Sequence, residues 1–378
     1  MKKNIVVIHF YPIEIFPPAI NILKFFSEKK PKNLEIIIVT TFPDKSLKLI
    51  TIDNIKIIRC ENINVSASGL SRLIGYIKIY TLAIRQLFKL KPSVVFYFET
   101  LSSLPALFYK SIYKSTKLYI HYHEIVTKSE LRNGRLLNRV LNLLEQKFYK
   151  NTHWISQTNL DRLKTFTNQN DLVLDRRYHK VLPNYPSKHW RLEKHESLNE
   201  YDVVKNTKTR FLHIGSLSFE TMYLKELLNE FGNSKDFTID FFSHTNNKKI
   251  ISYLKTYKNV TFKGSINYNE ISKLKNSYDV GLVLYKGESL NFTINAPNKI
   301  FEYLALDLDV WCSDKLTTAH NYKIENTFPK MLMINYEKLS ALNIELLLNR
   351  QNLKYKPSPY FSESIYSKLL DHIINTIN

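Results

Sequence analysis

The stretch Pro297–Ala305 reads Pro-Asn-Lys-Ile-Phe-Glu-Tyr-Leu-Ala and has the pattern of a helix start. Proline suits a first helical turn, and Asn295 is a favourable capping residue just before it. The apolar residues recur at helical spacing, which predicts one buried face. A strand is predicted on each side, over Tyr278–Tyr285 before the stretch and ending at Trp311 after it. The segment is therefore the helix of a strand-helix-strand unit.

The same helix start has the chemistry of a nucleotide-sugar site. Amides at a helix N-terminus bind phosphate, and Lys299 adds a positive charge beside them. Glu302 lies four residues after Asn298, so the two side chains are expected on one side of the helix. There the carboxylate can accept hydrogen bonds from a ribose diol. The alternative from local pattern alone is an ordinary amphipathic helix with a solvated Glu302.

Alternating strands and helices extend over the whole chain of 378 residues, which is long enough for two domains. Ile5–Phe10 is a continuous apolar run of the kind buried in a parallel sheet, and a helix over Ala19–Phe26 and a strand over Leu34–Thr40 follow. A second apolar start, Phe211–Ser216, opens the second half. We predict an α/β protein with two doubly wound parallel sheets.

The chain is strongly basic, with 54 Lys and Arg against 34 Asp and Glu and a net charge of +20. Such a balance favours an anionic partner. Two helices predicted in the first half, Leu70–Leu90 and Ser129–Lys150, carry mostly basic charges. No apolar stretch is long enough to span a bilayer, and two distant cysteines fit a reducing compartment. A cytoplasmic protein is expected.

A histidine and a glutamate follow the strand predicted over Leu118–His121. Ligands of open α/β sheets gather at the carboxyl ends of strands, so His123 and Glu124 are candidate site residues. The other interpretation of His123 is packing against the next helix. His121 is interpreted as structural, with its side chain on the other side of the strand.

Four of these segments resemble retaining glycosyltransferase family 4. They are Pro297–Ala305, Tyr278–Tyr285, Val181–Pro186 and the Gly215-Ser216 turn. The resemblance implies the GT-B architecture, in which two Rossmann-like domains face a cleft. It implies an N-terminal acceptor-side domain over 1–186, a linker over 187–208, a nucleotide-sugar domain over 209–355, and a last helix over 356–378 that crosses back.

The resemblance also assigns roles to residues. It implies donor binding by Gly215 and Ser216, by Gly264 and Ser265 near the base, and by Asn295, Pro297, Asn298, Lys299 and Glu302. His123, Glu124 and Glu302 are the implied catalytic residues. No cofactor or catalytic metal is expected, which agrees with the lack of metal-ligand spacing in the sequence.

The chain departs from the family pattern in three places. The loop after the first strand contains no glycine, and Ile294 stands where many members have a glutamate. Family members usually have an Arg beside the glycine that corresponds to Gly215, and a Lys a few residues later. In this chain the first place is occupied by Ser216, and no basic residue lies near Glu220. Lys225 is the next positive charge along the chain.

The expected function is transfer of a sugar from a nucleoside-diphosphate-sugar to a lipid-linked or oligosaccharide acceptor, with retention, in bacterial surface-polysaccharide synthesis. The basic helices are expected to hold the enzyme on the anionic inner face of the plasma membrane. Two alternatives stay open: a catalytically degenerate partner subunit, and a nucleotide-sugar 2-epimerase of the same fold. A nucleic-acid partner is disfavoured because no recognition motif accompanies the charge.

Overall fold

A computed structural model describes residues 3–43, 48–61, 69–191 and 208–377. The chain divides into two compact units. The first comprises 1–184 and 362–378, and the second comprises 185–361. Of the predicted linker over 187–208, residues 192–207 lie outside the described part of the chain.

The first unit is built on a parallel sheet with the strand order β3-β2-β1-β4-β5-β6-β7. The register pairs Ile5 of β1 with Ile36 on one side and Val94 on the other. Its strands are β1 (Lys3–His9), β2 (Leu34–Thr41), β3 (Ile55–Cys60), β4 (Val94–Phe98), β5 (Lys117–Tyr122), β6 (Trp154–Gln157) and β7 (His179–Val181). Its helices are α1 (Pro17–Lys29), α2 (Gly69–Leu90), α3 (Ser103–Ile112), α4 (Lys128–Asn133), α5 (Leu136–Gln146), α6 (Leu160–Gln169) and the last helix of the chain, α12 (Glu363–Ile377).

The second unit has a parallel sheet with the order β10-β9-β8-β11-β12-β14 and a two-stranded sheet of β13 and β15. Its strands are β8 (Thr209–Ile214), β9 (Phe237–Phe242), β10 (Val260–Gly264), β11 (Val280–Val283), β12 (Asp309–Ser313), β13 (Thr327–Phe328), β14 (Met331–Ile334) and β15 (Lys354–Tyr355). Its helices are α7 (Leu224–Phe231), α8 (Lys248–Leu254), α9 (Leu290–Thr293), α10 (Asn298–Ala305) and α11 (Ile344–Leu348). In both units, strand order reverses beside the first strand, as in doubly wound folds.

Helix α12 belongs to the core of the first unit, although its sequence follows the second. Tyr366, Leu369 and Ile373 are buried in the same apolar cluster as α1. The ring of Tyr366 lies 6.0 Å from that of Phe25, in an edge-on arrangement. The first unit is therefore assembled from two separate parts of the chain.

The predicted helix over Ser129–Lys150 is wrong as a single element, because the chain forms α4 and α5 instead. Thr127 and Glu130 form a reciprocal capping box at the start of α4. Gly134 ends α4 in an extended conformation, and a Cβ there would approach the Glu130 carbonyl to 2.8 Å. The prediction of α2 over Leu70–Leu90 is confirmed to within one residue. Among the described residues, no helix is long and apolar enough to cross a membrane.

A tyrosine on α10 fixes this helix against the second sheet. The Tyr303 ring covers Gly281 of β11, where an added Cβ would come within 2.3 Å of ring atoms. The Tyr303 hydroxyl accepts a hydrogen bond of 2.9 Å from the amide of Ile214, at the end of β8. One side chain thus ties α10 to two neighbouring strands.

We expect Gly281→Ala to destabilise the protein, by about 1–3 kcal/mol or more, because the new methyl group overlaps the Tyr303 ring in a packed core. Chemical denaturation monitored by circular dichroism measures this change. Gly69→Ala is the matched control, since a Cβ at Gly69 meets nothing within 4 Å. Equal stability of the two variants would contradict the close packing of Tyr303 on Gly281.

Candidate functional site

The donor-site candidates of the second unit meet at the carboxyl edge of its sheet. Gly215 follows β8 with a φ of +152°, a conformation that favours glycine, and its amide donates to the Phe242 carbonyl at 3.0 Å. Gly264 ends β10 with a φ of +74°, and Ser265 is exposed beside it. Helix α10 starts at this edge, because it follows β11 and leads back to the start of β12. The parallel strands therefore bring these segments to one side.

Glu302 is almost fully buried, with 1% of its surface exposed, and both of its carboxylate oxygens are engaged. The Asn298 side-chain amide donates to Oε1 at 2.6 Å, and the Lys299 ammonium forms an ion pair with Oε2. Asn298 and Glu302 therefore do lie on one side of the helix. Each carboxylate oxygen has two lone-pair sites, so the group retains acceptor capacity beyond these bonds.

The start of α10 differs from the sequence-based expectation. Pro297 is the residue before the first helical turn, and Asn298 begins the helix. No side chain caps the helix, so Asn295 does not have the predicted capping role. Asn295 instead follows α9, and its amide donates to the Phe292 carbonyl at 3.1 Å. The cause is α9, a one-turn helix that the sequence analysis had not predicted, within the loop over Lys286–Ile294.

A buried histidine beside this helix was missed by sequence reasoning. His213 of β8 contacts the carbonyls of Leu282 and Ser216 at 3.1 and 3.3 Å through its two ring nitrogens. Burial lowers the pKa of His213 to about 4, and the charge of Lys299 acts in the same direction. The imidazole is therefore neutral at neutral pH. The feature of the sequence that could have identified His213 is its position two residues before Gly215.

A second missed residue is Lys286, which contacts the loop that follows Gly215. Its ammonium lies 3.4 Å from the Phe219 carbonyl and forms an ion pair of 3.3 Å with Glu226. Its amide donates to the Thr221 carbonyl at 2.9 Å. Lys225 stands over the Phe219 ring instead, at 5.1 Å. A positive charge is thus present beside the loop, but it comes from the segment after β11.

The first unit encloses His123 between aromatic rings at the carboxyl end of β5. Phe98 and Phe16 stack on the imidazole with centroid distances of 5.5 and 5.9 Å. Burial holds the pKa of His123 well below its usual range, and His121 and His9 push in the same direction while Asn184 opposes them. Within the described residues neither ring nitrogen has a partner at good hydrogen-bond geometry. His123 is therefore a neutral imidazole with open hydrogen-bonding capacity.

The expectation that His121 faces away from His123 was wrong. Their rings lie 4.6 Å apart, edge to face, because residues two apart in a strand project to the same side. Nδ1 of His121 contacts the Ser156 hydroxyl at 2.9 Å. Burial lowers the pKa of His121 to about 3 and that of His9 to about 4. The three histidines form one buried, uncharged cluster.

Glu99 holds the backbone of His123 and was not recognised from the sequence. Its Oε1 atom accepts a hydrogen bond of 2.6 Å from the His123 amide. Burial raises the pKa of Glu99 to about 8. Its φ of +60° is unfavourable for a residue with a side chain, and such strain is concentrated at functional sites. Glu99 is therefore a positioning residue for the His123 loop.

Glu124 is exposed and lines a small pocket of about 40 Å³, which is room for a few water molecules. Nearby, the Arg162 guanidinium donates to the His123 carbonyl and, at 3.0 Å, to the Thr158 hydroxyl. Burial lowers the pKa of Arg162 to about 10, while Glu124 and Glu99 oppose that change. Arg162 thus places a positive charge beside His123.

A buried carboxyl group lies behind this pocket. Glu145 of α5 accepts hydrogen bonds on Oε1 from the hydroxyls of Tyr97 and Tyr122, at 3.0 and 2.9 Å. Tyr149 contacts Oε2 at 3.5 Å. Burial raises the pKa of Glu145 to about 7, although these hydroxyls favour the ionised form. The side chain is fully buried, so its charge state is coupled to folding.

Across the described ranges, no cluster of three or more His, Cys, Asp or Glu side chains has the arrangement of a metal site. Nothing in this part of the chain therefore contributes a recognisable set of metal ligands.

Comparison with known proteins identifies the fold. No protein-family model and no curated protein sequence matches the chain. The lipopolysaccharide outer core galactosyltransferase WaaB, in its apo form, matches with a TM-score of 0.61 and 11% identity over 99% of both chains. Anabaena Alr3699/HepE in complex with UDP-glucose matches with a TM-score of 0.64 and 11% identity, again over 99% of both.

Epimerases are also among the similar structures. The UDP-GlcNAc 2-epimerase of Methanocaldococcus jannaschii matches with a TM-score of 0.58 and 15% identity over 99% of both chains. At such low identities the likeness establishes the fold alone. The predicted fold class, an α/β protein with two parallel-sheet domains of the GT-B type, is confirmed.

We expect the difference in unfolding free energy between wild type and Glu145→Gln to change with pH. The unfolded carboxyl group ionises near 4.5, whereas the folded one keeps its proton up to about 7. The stability it contributes is thus fully present below pH 4.5 and is lost as pH rises through 7. Wild type should therefore lose on the order of 3 kcal/mol relative to Glu145→Gln between pH 4.5 and 9.

Urea denaturation of both proteins across this pH range measures the difference in unfolding free energy. The histidines are present in both proteins, so their contribution cancels. Glu28→Gln, which alters an exposed acid of α1, is the control and should show no comparable trend. A pH-independent difference between wild type and Glu145→Gln would contradict the raised pKa.

Proposed function

We propose that the chain is a retaining, metal-independent glycosyltransferase that uses a nucleoside-diphosphate-sugar donor. The observation that carries this proposal is the Asn298–Lys299–Glu302 constellation at the start of α10, beside the Gly215 turn. It combines helix amides, a cation and a carboxylate on one sheet edge. Phosphate and ribose are the two groups that need this combination. The likeness in fold to Anabaena Alr3699/HepE in complex with UDP-glucose, and to a Neisseria meningitidis UDP-GlcNAc 2-epimerase bound to UDP-GlcNAc, supports it.

The donor is proposed to bind with its diphosphate at the start of α10. Lys299 and the helix amides stabilise the negative charge that develops on the departing diphosphate. Lys286 supplies the second cation from the neighbouring loop. The ribose diol donates to Glu302, and Gly264 and Ser265 border the base. Gly215 lets the backbone at Ser216 approach the phosphates without a side chain in the way.

His123 is proposed to bind a hydroxyl group of the sugar or acceptor as a neutral imidazole. Its low pKa makes it unsuited to act as an acid at neutral pH, because no proton is available to donate beyond its single N–H. Glu99 and Arg162 hold the loop that carries it, through the His123 amide and carbonyl. Glu124 remains the candidate for contact with the acceptor, since it is exposed.

The acceptor is proposed to be a lipid-linked or oligosaccharide chain of a bacterial surface polysaccharide, reached from the inner face of the membrane. Apolar side chains are exposed along one side of the basic helix α2 and of α5: Leu70, Leu73, Ile74 and Ile77 on α2, and Leu136, Val140 and Leu143 on α5. Arg135 and Arg139 are exposed beside the second row. Apolar rows flanked by cations are the pattern of helices that lie in an anionic membrane surface.

Helices α2 and α5 both pack against α3. The phenol of Tyr11 is close enough to Tyr76 of α2 and to Arg135 at the start of α5 that both affect its pKa, after the larger effect of burial. Each buried leucine contributes about 1.5–3 kcal/mol and each basic residue about 1 kcal/mol. Together these contributions suffice for reversible attachment.

The second candidate function is a nucleotide-sugar 2-epimerase, favoured by the similar TM-scores of two such enzymes, 0.61 and 0.58. A degenerate partner subunit is the third, because Glu302 has intramolecular partners on both oxygens. An epimerase converts the donor without an acceptor. A partner subunit binds no donor. Two properties therefore separate the three candidate functions: whether the protein binds the donor, and whether conversion of the donor requires an acceptor.

We expect one class among UDP-, GDP-, ADP- and CMP-sugars to raise the melting temperature of the wild-type protein. A ligand at 100 times its dissociation constant adds about 2.7 kcal/mol of stability. Glu302→Gln should abolish the shift, because the amide removes both the charge that holds Lys299 and an acceptor for the diol. Glu325→Gln is the control, since it neutralises an exposed carboxylate of the same unit, paired with Lys323 at 2.9 Å.

A shift that persists in Glu302→Gln would contradict the proposed donor site. If no nucleotide-sugar raised the melting temperature, the result would contradict an enzymatic function and favour the partner subunit. Conversion of the donor sugar to its 2-epimer without acceptor would favour the epimerase.

We expect the protein to sediment with phosphatidylcholine vesicles that contain phosphatidylglycerol, and less so at high salt, because screening weakens the attraction. Leu136→Ser/Leu143→Ser should reduce the bound fraction, since both side chains are exposed on α5. Val173→Ser/Leu346→Ser removes two equally exposed apolar side chains elsewhere and should leave it unchanged. Equal binding of the two double variants would contradict membrane contact through α5.

A further inference from the structure

A basic pocket lies at the amino edge of the first sheet, opposite the edge that carries His123. Its walls include Lys110 and Lys114, around the end of α3, and Lys150, Asn151 and His153, just before β6. We name it the basic pocket. Its volume is about 560 Å³, within the range of ligand sites. The donor site belongs to the other unit, so this pocket is not part of it.

The positive charges of the basic pocket have no acidic partner among the described residues that line it. The Lys110 ammonium donates to the Thr116 carbonyl at 2.7 Å and to that of Lys114, which holds it in place. Burial lowers the pKa of Lys110, and the nearby charge of Lys117 acts in the same direction. Cations that repel one another around an open space form a favourable environment for an anion.

His153, one of the residues that line the pocket, has a ring nitrogen without a partner among the described residues. Nδ1 of His153 is buried and has no hydrogen-bond partner within the described chain. Burial, followed by the charges of Lys117 and Lys110, lowers the pKa of His153 to about 4. Unpaired buried polar atoms are rare and call for a partner. A bound anion in the pocket would favour the protonated ring.

We propose that the basic pocket binds a phosphoryl group, held by Lys114 and Lys150 with Lys110 and His153 at its base. Phosphate matches this lining because its oxygens accept several hydrogen bonds while carrying at least one full charge. Both a soluble phosphorylated compound and a phospholipid headgroup present this chemistry. The site is separate from the proposed function and does not depend on it.

The test is titration calorimetry with inorganic pyrophosphate at constant ionic strength. Lys114→Ala/Lys150→Ala should weaken pyrophosphate binding about tenfold or more, because two charge-assisted contacts are lost. Lys29→Ala/Lys56→Ala removes the same charge from exposed positions on α1 and β3 and should bind as wild type. Both pairs of lysines are exposed at the surface, and unchanged melting temperatures verify that the variants fold. Equal affinity of the two double variants would overturn the proposal.

Two further readouts separate this site from the donor site and identify the source of the phosphate. The His153 imidazole signal in NMR, assigned with His153→Gln, should shift on titration with pyrophosphate; an unmoved signal would overturn the proposal. The nucleotide-sugar stabilisation should survive in Lys114→Ala/Lys150→Ala. The second ligand to be tested is a vesicle of phosphatidylcholine that contains phosphatidic acid. Pocket-dependent binding to them indicates a lipid headgroup, and binding to pyrophosphate alone indicates a soluble ligand.

Discussion

The contact of the Tyr303 ring with Gly281 determines the geometry of the second unit's candidate site. A ring can lie directly on a strand only where the strand has no side chain, and here that place is β11. The hydroxyl then reaches the Ile214 amide and fixes the direction of α10. Because Glu302 precedes Tyr303, the carboxylate is held at the sheet edge by the same packing. The charged group therefore depends on an apolar contact for its position.

The candidate site of the first unit differs in kind. It consists mainly of ionisable groups that burial keeps uncharged. His9, His121 and His123 are neutral because they lie among aromatic rings, and Glu99 keeps its proton to about pH 8. Uncharged donors and acceptors suit the binding of hydroxyl groups. Arg162 is the charged exception, and it is held by the carbonyl of His123. The two candidate sites therefore differ in chemistry, with mostly neutral groups in the first unit and charged groups in the second.

Much of this arrangement was predictable from sequence, but only where a local pattern determines the outcome. The apolar strands and the helix at Pro297–Ala305 follow from periodicity, and Glu302 follows from its spacing to Asn298. Lys286 and Glu99 were missed because their roles arise from contacts between segments distant in sequence, which no local pattern contains. In the sequence, Glu145 is only one acidic residue within a predicted basic helix. In the structure, three tyrosines from other elements enclose it. Gly134 was the available signal for the break between α4 and α5.

The return of α12 to the first unit has a consequence for how the protein is made. Synthesis proceeds from the N-terminus, and domains generally fold as units while the chain emerges from the ribosome. The second unit is complete once Phe361 has emerged, but the first still lacks Tyr366, Leu369 and Ile373 of its core. The first unit to be translated is therefore the last to be finished. Until α12 has emerged, the apolar surface of α1 that packs against it is open to chaperones.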